Sequence, residues 1–315
     1  MRTIIIADLH LGRSHKLVPD LTARTLDAFV RVAHNPTWDA LLIAGDVFDF
    51  GTPHPTLIAD FMAILKDIKR PVLINYGNHD VTRKGSATDP IKHIGSEYVQ
   101  VVDEPGVYHV GGLRVYSENW PLQMRKGMTR ELRIQEPHDC VMLHGSAMNH
   151  PNRPRDDWAY LVHTDAPKFF GHLHDRSMDP TGMYPGSLVP GNFSETHEAG
   201  GLVWDGESVY PFPLKGLHTF RTVEESVATT VTTKENQIIR VRAKSGRNLK
   251  LEKTVNERFK QAIVDYKPPE NLVRAEAVEI WKAKTMMETY RVYLEGTGRD
   301  TSILMAAREF LDAAS

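Results

Sequence analysis

The chain has 315 residues and a mass of 35.6 kDa, room for one large domain and a smaller one. It is 41% hydrophobic and 25% charged with a net charge of −2, which excludes a disordered or collagen-like chain. A single cysteine, Cys140, excludes an internal disulfide and a thiolate metal cluster, and no apolar run approaches the ~18 residues of a membrane span. The opening Met1–Ile6 is too short for the apolar region of a signal peptide, so a reducing cytoplasmic setting and no membrane contact are expected.

In chain order, Thr3–Ala7 is a buried-strand candidate. Residues 21–33 carry Leu26, Phe29, Val30 and Ala33 at helical spacing behind Asp20 as N-cap. Ala40–Ala44 is a second strand, residues 56–68 a second amphipathic helix and Pro71–Asn75 a third strand. Continuous apolar strands separated by helices predict a parallel sheet buried on both faces. Shorter strand candidates follow at Val99–Val102, Leu113–Ser117, Cys140–Leu143, Lys168–Phe170 and Gly201–Trp204. Near residue 216 the character changes. Residues 219–236 are Thr- and Glu-rich and read as a linker, Gln237–Ala243 as a strand, 254–265 as a helix and Val273–Ile280 as another strand. Two amphipathic pieces close the chain, one with Met286, Met287, Tyr290, Tyr293 and Leu294, the other with Ile303, Leu304, Ala307, Phe310 and Leu311. Residues 1–215 are net acidic and hold all but one of the 15 histidines, whereas residues 216–315 are net basic with His218 alone.

Five of the apolar runs end in residue types that bind metals. They lead into Asp8-Leu9-His10, Gly45-Asp46-Val47-Phe48-Asp49, Gly77-Asn78-His79-Asp80, His144-Gly145 and Gly171-His172-Leu173-His174. Strand carboxyl ends in an open α/β sheet converge on one rim, so separate stretches can deliver side chains to one place. Taken singly, an Asp-x-His or a Gly-Asn-His-Asp is most often an ordinary strand end or turn; five in succession are not explained that way. Carboxylate, imidazole and amide oxygen without thiolate suit Mn2+ or Fe2+, with Zn2+ as a further option. Seven ligands exceed the needs of one ion and suffice for two that share a carboxylate.

This constellation, D-x-H, G-D-x-x-D, G-N-H-D, H and G-H-x-H in order, resembles the calcineurin-like metallophosphoesterase superfamily over about residues 1–205. The resemblance implies an α/β fold in which a β-sandwich, two facing sheets rather than one parallel sheet, is flanked by helices. It also implies two metal sites: Asp8, His10, Asp46 and His174 for one ion, and Asp46, Asn78, His144 and His172 for the other. Asp8-Leu9-His10-Leu11-Gly12, Gly45–Asp49, Tyr184-Pro185-Gly186-Ser187 and Asn192-Phe193-Ser194-Glu195 look like the SbcD-type DNA repair nucleases, nearest the compact bacteriophage recombination nuclease subunits. Protein phosphatases of the superfamily carry Arg before the G-D and Glu after the G-N-H, where this chain has Ala44 and Asp80. Some members have His where Asp49 stands, so Asp49 is taken only as a supporting residue beside the metals.

The function expected on that likeness is Mn2+-dependent exo- or endonucleolytic hydrolysis of DNA in the cytoplasm of a bacterium or phage-infected host. The chain would be the nuclease subunit of an SbcCD-like complex with an SMC-like coiled-coil ATPase, and a homodimer. Residues 1–215 would form the nuclease domain, 216–275 a small α+β DNA-binding cap and 276–315 C-terminal helices that dock on the ATPase. His79, next to the ligand Asn78, is the candidate for stabilising the transition state or protonating the leaving oxygen, with Asp80 orienting it. Arg13, Lys16, Arg83 and Lys84 follow two of the motifs, and Arg240, Arg242, Lys244 and Arg247 form a basic patch without an acid; these are the candidate DNA contacts. Two competing functions are a phosphodiesterase for small or cyclic nucleotides and a non-catalytic DNA-binding scaffold.

Overall fold

A computed structural model of the chain describes residues 1–81, 96–121, 125–228, 230–233, 236–243 and 249–266. Its first sheet has four parallel strands, Thr3–Ile6, Ala40–Ala44, Val72–Asn75 and Val99–Val101, extended antiparallel by Gly200–Trp204 and Val209–Pro213. Thr3–Ile6, Ala40–Ala44 and Val72–Asn75 are buried at every position, which is why they read as continuous apolar runs. Helices α1 (Leu21–Ala33) and α2 (Pro55–Asp67) connect these three strands, and right-handed crossovers place both on one face. There Phe29 and Phe61 stack at 5.1 Å, with Phe48 edge-on to Phe61 at 5.8 Å. Asp20 stands at the N-cap of α1 but does not cap it; its carboxylate instead takes the Arg24 guanidinium at 2.9 Å.

The opposite face meets a second sheet. Leu113–Ser117, Cys140–His144, Lys168–Gly171 and Gly182–Tyr184 run parallel, bordered by Gly106–Val110 and Ser177–Asp179 as antiparallel edges. Ile5, Leu42, Leu73 and Leu202 from the first sheet form one buried cluster with Val115, Cys140, Met142 and Phe169 from the second. The fold is therefore the sandwich implied by the resemblance, and the single open sheet suggested by periodicity is corrected. Apolar runs tell that a strand is covered on both faces; they do not tell whether a helix or a second sheet covers it. The outer face of the second sheet carries no helix among the described residues. A three-stranded sheet of Thr129–Arg133, Ala159–His163 and Ser146–Ala147 lies there, with Leu132, Trp158 and Tyr160 clustered against Val141, Leu143, Phe170 and Tyr184.

The chain divides into two compact units, Met1–Arg221 with Thr233–Ile238, and Thr222–Thr232 with the chain from Ile239 onward. The stretch read as a linker contains the strand Thr219–Glu224 and a 3₁₀ turn, Glu225–Val227. Its Thr-rich composition suits a strand buried only at Phe220 and Val223. The helix expected over 254–265 lies earlier, as α3 (Leu249–Arg258), and Ala262–Tyr266 is a strand parallel to Gln237–Ala243. Ile239, Val241 and Ala243 face a small core with Leu251, Val255 and Phe259, so alternation turns Arg240 and Arg242 to the other face. The expected strand over 273–280 and the two closing amphipathic pieces lie outside the described residues. No helix among the described residues is long and apolar enough to cross a membrane.

Phe61 joins the helix layer to Phe48, which sits in the second metal-ligand motif. Phe61→Ala is expected to lower stability by about 3–5 kcal/mol, measured by urea denaturation, because a fully buried ring between two others leaves a cavity.

Candidate metal centre

The carboxyl ends of the two sheets meet at one rim. Asp8 and Asp46 leave the first sheet, and their backbones are laced together: Asp8 N–H donates to the Gly45 carbonyl at 3.1 Å and His10 N–H to the Asp46 carbonyl at 3.0 Å. Gly171 and His144 are paired neighbours at the end of the second sheet. Two bonds bridge the rims. The His172 backbone N–H lies 3.0 Å from both Asp8 carboxylate oxygens, and His144 Nδ1 lies 2.9 Å from the Ala44 carbonyl.

Five non-glycine residues among those described have positive φ, and four of them are candidate ligands: Asp8 at 52°, His10 at 45°, Asp46 at 50° and His172 at 96°. Left-handed backbone costs an L-residue energy and persists where the surroundings enforce it, which marks functional sites. Gly77 allows a close approach in the rim: a Cβ there would lie 2.0 Å from Asp46 Oδ1.

The side chains converge on two adjoining points. Asp8, His10, Asp46 and His174 each offer a ligand atom, and these atoms lie within 4.8 Å of one another. His10 Nε2 and His174 Nε2 are 3.0 Å apart. At the second point, Asn78 Oδ1 lies 3.1 Å from His144 Nε2 and 3.1 Å from His172 Nδ1, and Asp46 Oδ2 lies 3.4 Å from His144 Nε2 and 3.6 Å from His10 Nε2. Asp46 thus faces both points. The seven sequence candidates are brought together.

Each of the four histidines is held from behind by an oxygen. His10 Nδ1 lies 3.1 Å from Asp49 Oδ1, His144 Nδ1 faces the Ala44 carbonyl, His174 Nδ1 lies 3.1 Å from Glu195 Oε1 and His172 Nε2 lies 2.9 Å from Asp157 Oδ2. An imidazole that donates its one N–H backwards presents a lone pair forwards. With all four imidazoles neutral, as metal ligands must be, acceptors would face one another across the centre. A cation fits such a lining, and two fit its two points. Neither Asp157 nor Glu195 was singled out from sequence. Glu195 lies in the Asn192–Glu195 segment that carried the resemblance; Asp157, in a loop without a motif, gave no signal.

Glu195 is a hub. Its buried carboxylate accepts from Arg13 at 3.0 Å, the Gly191 backbone at 2.7 Å and Asn192 Nδ2 at 2.7 Å, besides His174. Burial would raise its carboxyl, but His174 and Arg13 outweigh that and hold it down to about 2. Arg13 is accordingly engaged with Glu195 in this structure, whereas Lys16 is exposed. In the second unit Arg242 is exposed and Arg240 Nε donates to Thr222 Oγ1 at 3.1 Å. Arg83, Lys84, Lys244 and Arg247 lie outside the described residues.

Asp80 does not orient the His79 ring. Its buried carboxylate takes the backbone N–H groups of Phe48 and Gly77, both at 2.9 Å, and so ties the second and third motifs together. Consecutive residues in a turn direct their side chains apart, which the sequence does not reveal. The His79 ring is held instead by the Asp49 carbonyl, 2.8 Å from Nδ1, and stands edge-on to His10 at 4.8 Å between ring centroids. The His79 backbone N–H donates to Asp46 Oδ1 at 2.8 Å. Burial would raise the Asp46 carboxyl, but His144, His10 and His79 outweigh it and hold Asp46 far below the usual range. Asp80, buried beside that charge, is pushed up to about 7. His144, which burial would lower, is raised to about 9 by Asp46 and Asp8.

The family profile described as calcineurin-like phosphoesterase matches residues 1–183. Among curated proteins, the SbcD component of the nuclease SbcCD of Bacillus subtilis (strain 168) is 34% identical over 101 residues, which is 30% of this chain and 25% of that protein. A solved structure, the nuclease MPE of Pseudomonas putida, is 21% identical with a TM-score of 0.28, covering 55% of this chain and 62% of that one.

Glu195→Gln is expected to weaken Mn2+ affinity by about 10–100-fold in equilibrium titrations, since it loosens His174 without removing a ligand. In the metal-free protein it should also flatten the acid side of a melting-temperature profile. A carboxyl depressed in the fold stabilises fully above its unfolded value, and that stability is lost as pH falls towards about 2.

Proposed function

We propose a DNA nuclease from this premise: the chain belongs to the calcineurin-like phosphoesterase family, whose members are metal-dependent hydrolases of phosphoester bonds. The observation that carries the reading is the convergence of ligand-type atoms on two adjoining points, His10 Nε2 against His174 Nε2 and Asn78 Oδ1 against two imidazole nitrogens. One ion would be held by Asp8, His10, Asp46 and His174, the other by Asp46, Asn78, His144 and His172. Mn2+ is the favoured metal, with Fe2+ or Zn2+ as substitutes, because the ligands are imidazole and hard oxygen.

Such a pair of cations would polarise the phosphoryl group and make a water acidic enough to attack phosphorus in line. The chain's own residues then do the following. Asp46 faces both ion positions. The Asp49 carbonyl takes the Nδ1 hydrogen of His79 and fixes its ring beside His10; in the imidazolium form the second hydrogen, on Nε2, would be donated to a phosphate oxygen or passed to the leaving oxygen.

DNA as substrate is supported by the likeness to the Bacillus subtilis nuclease component, which spans a quarter of that protein. On the same likeness, the chain would work with an SbcC-type coiled-coil ATPase through residues 276–315, as a homodimer. Residues 216–275 would contact the phosphate backbone, with Arg242 of their basic strand and Lys16 of the first motif as exposed cations.

With Mn2+, the purified chain is expected to degrade linear duplex DNA. Turnover of a chromogenic phosphodiester alone would instead favour a small-nucleotide phosphodiesterase, and DNA retention without hydrolysis a scaffold. His79→Ala is expected to keep Mn2+ binding and lose about 10²–10⁴-fold in DNA hydrolysis; an undiminished rate removes His79 from the chemistry.

A further inference from the structure

We infer that Asp157 and Ser146 are positioning residues for His172, fixing which ring nitrogen that histidine offers to a metal ion. The inference rests on the metal pair proposed above and concerns only its Asn78–His144–His172 half.

His172 is arranged in the opposite sense to the other three histidines. His10, His144 and His174 are held at Nδ1 and present Nε2, whereas His172 is held at Nε2 and presents Nδ1, 3.1 Å from Asn78 Oδ1. What holds it is a carboxylate from outside the five motifs. Asp157 Oδ2 lies 2.9 Å from His172 Nε2, and an ionised carboxylate can only accept, so the hydrogen sits on Nε2 and the lone pair on Nδ1.

Asp157 is itself fixed. The buried Ser146 hydroxyl donates to the same oxygen, Oδ2, and the Asp157 backbone carbonyl accepts from Arg153 Nη2 at 2.6 Å. The next residue, Trp158, is 5% exposed and lays its ring against His172 at 5.6 Å between centroids. The indole reaches that position by crossing Gly145, where a Cβ would fall 1.9 Å from it. Three consecutive residues at the end of the second sheet's strand thus serve one purpose: His144 as a ligand, Gly145 as the gap for Trp158, and Ser146 as the donor that orients Asp157. Residue 172 has φ of 96°, a strained backbone conformation that surrounding contacts must maintain.

The test is calorimetric titration of the metal-free full chain with Mn2+. The wild type is expected to take up two ions. Asp157→Ala should weaken one of them by about 10–100-fold and leave the other within a few-fold, as loss of a histidine's rear partner does. Ser146→Ala should weaken the same ion by a smaller factor, and it carries the test if Asp157→Ala lowers the melting temperature. Asp157→Asn, which keeps an oxygen acceptor, should recover most of the affinity. ¹⁵N NMR of the imidazoles supplies a signature that a purely structural role would not move: the hydrogen-bonded Nε2–H of His172 is present in the wild type and lost in Asp157→Ala. Equal weakening of both ions, no weakening of either, or an Asp157→Asn as impaired as Asp157→Ala overturns the inference. A wild type that binds no Mn2+ overturns it together with the metal pair, and that failure is visible before any variant is made.

Discussion

Acceptor atoms that face one another repel unless positive charge stands between them, and the centre of this protein is organised around that constraint. His10 Nε2 and His174 Nε2 stand 3.0 Å apart, and Asn78 Oδ1 sits between two more imidazole nitrogens. Holding them there requires force from behind. It comes from Asp49, Ala44, Glu195 and Asp157, each with an oxygen beside the far nitrogen of one imidazole, and from a left-handed backbone at Asp8, His10, Asp46 and His172. At about 1–3 kcal/mol for each such residue, the strain is a sizeable part of the roughly 5–15 kcal/mol net stability of a folded domain. A cation placed there would return part of that energy, which would couple metal binding to folding.

The scaffold that bears this strain is rigid for a plain reason. Thr3–Ile6 and Ala40–Ala44 are buried on both faces, with helices on one side and a second sheet on the other, and Asp8, His10 and Asp46 lie within two to four positions of their ends. The second sheet supplies His144, His172 and His174 to the same rim, and the bonds His172 N–H to Asp8 and His144 to Ala44 lock the two rims in register. Two carboxylates then take opposite characters from their surroundings. Asp46, encircled by imidazoles, stays ionised; Asp80, buried behind it and bonded to two backbone N–H groups, is pushed up to about 7. The first is suited to face cations and the second to fasten the loops that carry the ligands.

Much of this was legible in the amino-acid order. Apolar runs located the core strands, because a strand covered on both faces must be apolar at every position, and the residue types at their ends marked the side chains that the structure brings together. The reading failed where a decision depended on partners distant in sequence. Thr219–Glu224 is a strand because a neighbouring strand pairs with it, although its composition suggested a linker. Asp80 follows His79 directly yet turns away to Phe48 and Gly77, since neighbours in a turn rarely share a direction.

The linear chain by itself determined the ligand chemistry, imidazole, carboxylate and amide without thiolate, and the order in which strands deliver it, because both are written in residue types and local spacing. Only the tertiary structure decided which nitrogen each histidine presents and which residue stands behind it. Asp157 lies 15 residues from His172 and Glu195 lies 21 from His174. No periodicity reaches across such distances; the contacts exist because two sheets and a loop fold onto a common rim, and hydrogen-bond geometry then selects the partner.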